Sequence, residues 1–212
     1  MTLDPRLYLV TDPSHDDLES IVVAAIEGGV TCVQVRDKHG TAADRSRLVR
    51  RLRDVLPVDV ALVVNDDLEA APWGDGLHVG VDDVAPSVAR EALGPGAVIG
   101  WSINDVAQLA DTAQLDACDY VAISPVWATA TKTDTGAPFG LDGVREVVAL
   151  VGGRLPVVAI GGIDTSNAAE VIAAGADGIC VVSAICGADD PLAAAGELRS
   201  IVDAGLALRG IA

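Results

Sequence analysis

The chain alternates apolar runs a few residues long with stripes at helical spacing, from one end to the other. Residues 7–10 are apolar at every position, and from Leu18 the spacing changes to Leu18, Ile21, Val22, Ala25 and Ile26, a helical stripe that stops at Gly28 and Gly29. A second strand is expected at 30–35. Thr41 followed by Asp44 has the form of a capping box, and the helix it opens carries Leu48, Leu52, Val55 and Leu56 on one face and arginines on the other, until Pro57 closes it. Strands are then expected at 60–64, 77–79, 97–101, 120–123, 157–160 and 178–182. Helical stretches are expected between and after them: a short piece at 67–71, then 87–93, a face over 106–113, one from about 141, one from 166 to 175 and a last one from about 191.

Eight strands alternating with eight helices fit a single (β/α)8 barrel, a TIM barrel, spanning 1–212; the alternative is an open doubly wound sheet. The junctions GGVTCVQV, WGDGLHVG, ACDYVAI and AGADGICVV resemble one another, each ending a helix on small residues before an apolar strand. Their separations vary, so the module recurs in form without a fixed period. No linker or shift of composition divides the chain.

Composition narrows the class. Half of the 212 residues are hydrophobic but only 3% are aromatic, the palette of parallel strands buried on both faces. No apolar run reaches the roughly 20 residues that span a bilayer, and no terminal stretch has the form of a secretion signal, so the chain reads as soluble and cytoplasmic. The net charge of −17 argues against nucleic acid and anionic membranes as partners. A phosphorylated small molecule would have to be held by a local cluster of cations, amides or metal. Cys32, Cys118, Cys180 and Cys186 match no zinc or redox spacing and read as small buried hydrophobes. Assembly into a homo-oligomer is left open.

In a barrel, the residues just past each strand share one rim, where active sites of this fold are built. The second strand delivers Gln34, Arg36 and Lys38, on alternate positions of one face. The third and fourth deliver Asn65, Asp66 and Asp67, then Asp82 and Asp83; carboxylates from neighbouring rim loops suit a magnesium ion that keeps its waters and binds phosphates. One of Asp66 and Asp67 is expected to cap a helix, and Asp66 is assigned to the metal with Asp83. The fifth strand ends at Trp101 and Ser102, whereas His78, flanked by Leu77 and Val79, reads as a core residue.

The loop after the sixth strand, 124–135, reads SPVWATATKTDT, and Thr129, Thr131 and Lys132 in it supply hydroxyls and an ammonium suited to pyrophosphate. After the seventh and eighth strands come Gly161 and Gly162, then Val182 and Ser183, in the pair of loops that usually grips phosphate in this fold.

Taken in order, VQVRDK, VVNDD, GLHVG with DD after it, WS, TATKTDT, AIGGI and VVSAI make the chain similar to the thiamine phosphate synthase family over nearly its whole length. The resemblance implies a barrel fold and a magnesium-dependent transferase of thiamine biosynthesis. Such an enzyme joins 4-amino-2-methyl-5-hydroxymethylpyrimidine diphosphate to hydroxyethylthiazole phosphate, pyrophosphate leaving first and the thiazole nitrogen capturing the resulting pyrimidine methyl cation. By position, it implies that Gln34 holds the pyrimidine; that Arg36, Lys38, Asn65 and Lys132 contact pyrophosphate; and that Asp66 and Asp83 ligate magnesium. Ser102 would lie near the reacting pyrimidine, Thr129 and Thr131 near the thiazole phosphate and the departing group, and amides around Gly161, Gly162, Val182 and Ser183 at the thiazole phosphate. Val81, Asn104 and Ala128 depart from the family pattern of Gln, His and Pro. A thiazole tautomerase on a related barrel, or a non-catalytic phosphate-ligand binder, are the alternatives; Arg36, Lys38, the acid pair and Lys132 together speak against the first.

Overall fold

A computed structural model describes residues 3–129 and 137–211. The strands β1 (Leu7–Val10), β2 (Cys32–Val35), β3 (Ala61–Asn65), β4 (Gly76–Val79), β5 (Val98–Ile103), β6 (Tyr120–Ile123), β7 (Val157–Ile160) and β8 (Gly178–Val181) are parallel, pair in sequence order and close when β8 meets β1. The fold is thus the (β/α)8 barrel and not the open sheet. Around it run α1 (Leu18–Glu27), α2 (Ala42–Val55), α3 (Pro86–Leu93), α4 (Thr112–Asp116), α5 (Gly140–Val151), α6 (Ala168–Ala173), α7 (Ser183–Cys186) and α8 (Pro191–Leu208).

The helices do not fall one to each crossover. Between β3 and β4 the expected helix at 67–71 is replaced by a 3-10 turn, Ala71–Trp73, because Asp67 Oδ1 accepts the amides of Glu69 and Ala70 and winds the chain into a tight bend before Pro72. The face expected over 106–113 is also divided. A 3-10 segment, Val106–Ala110, ends at Asp111, which caps α4. At α2 the capping box forms as expected, Thr41 Oγ1 taking the amide of Asp44 and Asp44 Oδ2 that of Thr41.

Strand registers are locked at the N-terminal end of the barrel by the recurrent junctions. The residue just before each even-numbered strand accepts a backbone amide from the start of an odd-numbered one: Thr31 from Leu7, Asp75 from Leu62, Asp119 from Ile99 and Asp177 from Val157. The three carboxylates among them each also face an arginine: Arg53 on Asp75 at 2.8 Å, Arg90 on Asp119 at 2.6 Å and Arg209 on Asp177 at 3.4 Å. This face of the molecule is therefore given to stability, and chemistry is left to the other.

Two apolar layers result. Val33, Val35, Leu62, Val64, Leu77, Ile99 and their neighbours fill the space between strands and helices. Tyr8, Val10, Cys32, Ala61, Val63, Val98, Tyr120, Ala122, Val158 and Cys180 fill the interior. All four cysteines are buried and free, and burial raises their thiols, Cys118 to about 12 and Cys186 to about 11, which keeps them protonated.

Candidate active site

At the C-terminal mouth of the barrel, strand ends and loops enclose a cavity of about 300 Å³. Gln34, Arg36 and Lys38 reach it from β2 and its loop, Asn65 from β3, His78 and Asp83 from β4 and its loop, and Ser102 from β5. Opposite them stand Ser124, Pro125 and Thr129 after β6, Gly161 and Gly162 after β7, and Val182 and Ser183 after β8. Most of the residues singled out on separate strands thus border one space, whereas Asp66 stands against Asp83 and does not line it. Thr131 and Lys132 lie outside the described residues.

One wall is charged. The Arg36 amide is fixed on Thr11 Oγ1 at 3.0 Å, and neither Arg36 nor Lys38 reaches a carboxylate within ion-pair distance among the described residues. Asp67 is 6% exposed, holds two amides and meets Arg45 Nε at 2.5 Å, so it is the structural cap. Burial pushes its carboxyl up, but Arg45 and the amides outweigh that and hold it below the usual carboxylate range. Asp66 takes a left-handed backbone, φ 54°, and stands against Asp83, whose Oδ2 is tied to the Gly80 amide at 2.7 Å. Burial, then the neighbouring Asp83, raises Asp66 to about 6, while Lys38 pulls it down in part.

Two carboxylates set against each other at adjacent strand ends are a donor set that suits magnesium, which takes one or two carboxylates and completes its shell with water and phosphate oxygens. No cluster of three or more His, Cys, Asp or Glu occurs among the described residues. A closed, all-protein metal cage is therefore not what these side chains build.

Beneath the charged wall runs a polar chain through the barrel. Gln34 Nε2 donates to Tyr8 Oη at 2.9 Å, Tyr8 Oη lies 2.8 Å from Tyr120 Oη, Tyr120 Oη lies 2.8 Å from His78 Nδ1, and His78 Nε2 lies 2.8 Å from Ser102 Oγ. Gln34, Tyr8, Tyr120 and His78 are buried, and burial raises both phenols well above the usual tyrosine value. His78 is thus both packed, as its neighbours suggested, and part of the cavity wall. Tyr8 and Tyr120 went unnoticed in sequence because LYLV and YVAI are apolar at nearly every position; the signal available was that inward positions alternate with those facing the helices.

The far wall is built of backbone. Gly161 and Gly162 have φ of 108° and 66°; a Cβ on Gly161 would stand 2.6 Å from Pro125 Cβ, and one on Gly162 3.0 Å from Trp127 Cβ. The segment after β6 is held there by Val126 donating to the Ile160 carbonyl at 2.9 Å and Trp127 to that of Gly161 at 3.1 Å. Asn167 Nδ2 ties the Gly162 carbonyl at 2.8 Å. Among the described residues the amides of Gly162, Ser183 and Ala184 meet no carbonyl, which leaves donors suited to a phosphate. Val81, Asn104 and Ala128 do not line the cavity, so the departures from the family pattern fall outside it.

Comparison with known proteins finds relatives over nearly the whole chain. The family model described as thiamine monophosphate synthase matches residues 7–185. The thiamine-phosphate synthase of Albidiferax ferrireducens is 45% identical over 205 residues, covering 94% of this chain and 92% of that protein. That of Vibrio campbellii is 43% identical over 202 residues, covering 93% and 98%. The solved structure of thiamine phosphate pyrophosphorylase from Pyrococcus furiosus superposes with a TM-score of 0.86 at 33% identity, covering 97% of this chain and 98% of that one.

Proposed function

We infer that this chain, which belongs to the thiamine monophosphate synthase family, joins hydroxymethylpyrimidine diphosphate to hydroxyethylthiazole phosphate and releases pyrophosphate. It is a transferase of thiamine biosynthesis. The observation that carries the site reading is the meeting of Gln34, Arg36, Lys38, Asn65, Asp83 and Ser102 with the glycine-lined wall around a single cavity.

The reaction breaks the bond between the pyrimidine methylene carbon and the diphosphate oxygen, and the electron pair leaves with pyrophosphate. The ring stabilises the cation left on the methylene carbon, and the thiazole nitrogen then donates its lone pair to form the new carbon–nitrogen bond. Charge neutralisation on the leaving group matters more to such a step than a general base. Arg36 and Lys38 would contact the departing oxygens, with Asn65 donating from the end of β3. Asp66 and Asp83 would hold a magnesium ion, which when bound supplies further positive charge beside the diphosphate. Gln34 and Ser102 would orient the pyrimidine, and Thr129 would stand between the two substrates. The amides of Gly162 and Ser183 would anchor the thiazole phosphate, so that its nitrogen is presented to the cation at short range. In the loop beyond Thr129, Thr131 and Lys132 are proposed to join the pyrophosphate contacts and to exclude water from the cation.

The test is to mix both substrates with the protein and magnesium and to measure pyrophosphate. Release equal to the thiamine phosphate formed is expected. Tight binding of thiazole phosphate with no pyrophosphate released would overturn the reading in favour of a binding protein.

A further inference from the structure

The run Gln34–Tyr8–Tyr120–His78–Ser102 draws one side chain from each of five strands, and its two ends both line the cavity. Each phenol, and the imidazole in its uncharged form, has one proton to share between these two links, so the sense of one link dictates the next. With the Gln34 amide donating, Tyr8 donates to Tyr120, Tyr120 to His78 Nδ1, and the His78 Nε2–H to Ser102. The ends then offer the cavity an acceptor, the Gln34 carbonyl, and a donor, the Ser102 hydroxyl. Turning the Gln34 amide over reverses every link and exchanges the two roles. A mixed state places two protons, or none, between one pair of buried atoms and leaves a group unsatisfied.

We propose that Tyr8, Tyr120 and His78 are positioning residues that couple the two ends of this run, so that Gln34 and Ser102 always present one donor and one acceptor in matched sense to the pyrimidine. The inference rests on the reading above in which those two residues face that ring. An aminopyrimidine carries an amino donor beside ring-nitrogen acceptors, so it selects one polarity of the run. The run in turn holds the ring in one orientation, with its methylene carbon toward Arg36 and Lys38. Burial of both phenols supports this, because it holds them in the protonated form in which each can donate one link and accept the other.

The test is a set of steady-state measurements on Gln34→Met, Ser102→Ala and the double variant, each made in the wild-type background and in Tyr120→Phe. In the wild-type background each single change is expected to lower kcat/KM for the pyrimidine diphosphate, and the double change to cost about tenfold less than the product of the two. In Tyr120→Phe, which cuts the run at its centre, the two effects should multiply, while KM for the thiazole phosphate stays within about twofold. Coupling that survives undiminished in Tyr120→Phe would mean that it passes through the substrate and would overturn the proposal, as would effects that multiply in both backgrounds. If the single changes leave kcat/KM unaltered, the pyrimidine site itself is misassigned and the inference falls with it. Should Tyr120→Phe fail to give a cooperative melt, Tyr8→Phe cuts the run one link earlier and carries the same expectation.

Discussion

Replacing Gly100 by alanine tests the packing that the polar run depends on. Gly100 pairs with Tyr120 across β5 and β6, and a methyl group on it would lie 2.1 Å from Tyr120 Cζ, 2.3 Å from Oη and 2.4 Å from Cε1. Comfortable carbon contacts begin near 3.5 Å. The ring has nowhere to go, since Tyr120 is fully buried, stacks on His78 with centroids 5.6 Å apart and meets Tyr8 edge-on at 5.8 Å. Overpacking of this kind costs about 1–3 kcal/mol. Displacing Oη also breaks its two 2.8 Å links, at about 0.5–1.5 kcal/mol each. The sum is about 2–6 kcal/mol; for a protein of this size each kcal/mol moves the melting temperature by about 2–4 °C. A thermal melt lowered by at least about 4 °C, matched by a lower denaturant midpoint at unchanged slope, is the expected result. Gly96→Ala is the control, because a methyl group there meets nothing within 4 Å, and it should stay within about 0.5 kcal/mol of wild type. If Gly100→Ala differs from wild type by less than about 1 kcal/mol, the Tyr120 ring is not lodged against β5 and the run does not have the geometry described.

Three further outcomes are expected. Asp66 is raised to about 6 by burial and by Asp83; since this lies above the unfolded carboxylate value, its contribution to stability is present below about pH 4 and is lost as pH rises through about 6. Magnesium should therefore raise the melting temperature more at about pH 7.5 than at about pH 5, and Asp66→Asn should remove the difference; equal rises in the wild type would refute the metal assignment. Lys38→Ala should lower kcat/KM for the pyrimidine diphosphate by about 100-fold with an unchanged circular dichroism spectrum, and a fall of less than about threefold would take Lys38 out of the site. Asp75→Ala strips the Leu62 amide and Arg53 of their shared carboxylate and should cost about 2–3 kcal/mol in denaturant melts without altering kcat; a loss below about 1 kcal/mol would show that the register lock is dispensable.

The barrel was legible because its strands are short, apolar at nearly every position and separated by stripes of a different period. The rim was legible for the same reason, since Arg36, Lys38, Asn65 and Asp66 stand out where an apolar run stops. Polar residues at the end of such a run are visible in sequence, whereas those within it are not. Tyr8 and Tyr120 sit among residues buried on the other face of the strand, so no break in hydropathy distinguishes the interior from the helix-facing side. His78 looked like core because Leu77 and Val79 flank it, yet those two point at helices while it points inward. The recurring junctions were visible as a pattern, but their purpose depends on amides of Leu7, Leu62, Ile99 and Val157, each at least 13 residues distant from its acceptor in the chain. The 3-10 turn before β4 escaped because a carboxylate that winds a bend and one that opens a helix look alike until Pro72 is taken into account.

A protein of net charge −17 that binds two phosphorylated substrates has to overcome its own field locally. Most of that field comes from charges many ångströms away, and at physiological salt interactions between exposed charges fade beyond about 8 Å. At contact the balance differs, with two unit charges 4 Å apart near a protein surface interacting by roughly 4 kcal/mol. Arg45, Arg53, Arg90, Arg199 and Arg209 meet carboxylates at 2.5–3.4 Å and are committed to structure, whereas Arg36 and Lys38 at the cavity mouth form no such ion pair among the described residues. A diphosphate approaching that mouth would also meet Asp83, with Asp66 against it, and the pair would offset much of the attraction of the two cations. Net attraction then prevails only when the charge of the carboxylate pair is compensated. On the proposed assignment, the same four side chains would make the rim a poor site for a bare anion and a good one for a diphosphate that brings its own divalent cation. Selectivity of this kind would let an acidic surface exclude other polyanions without excluding the substrate.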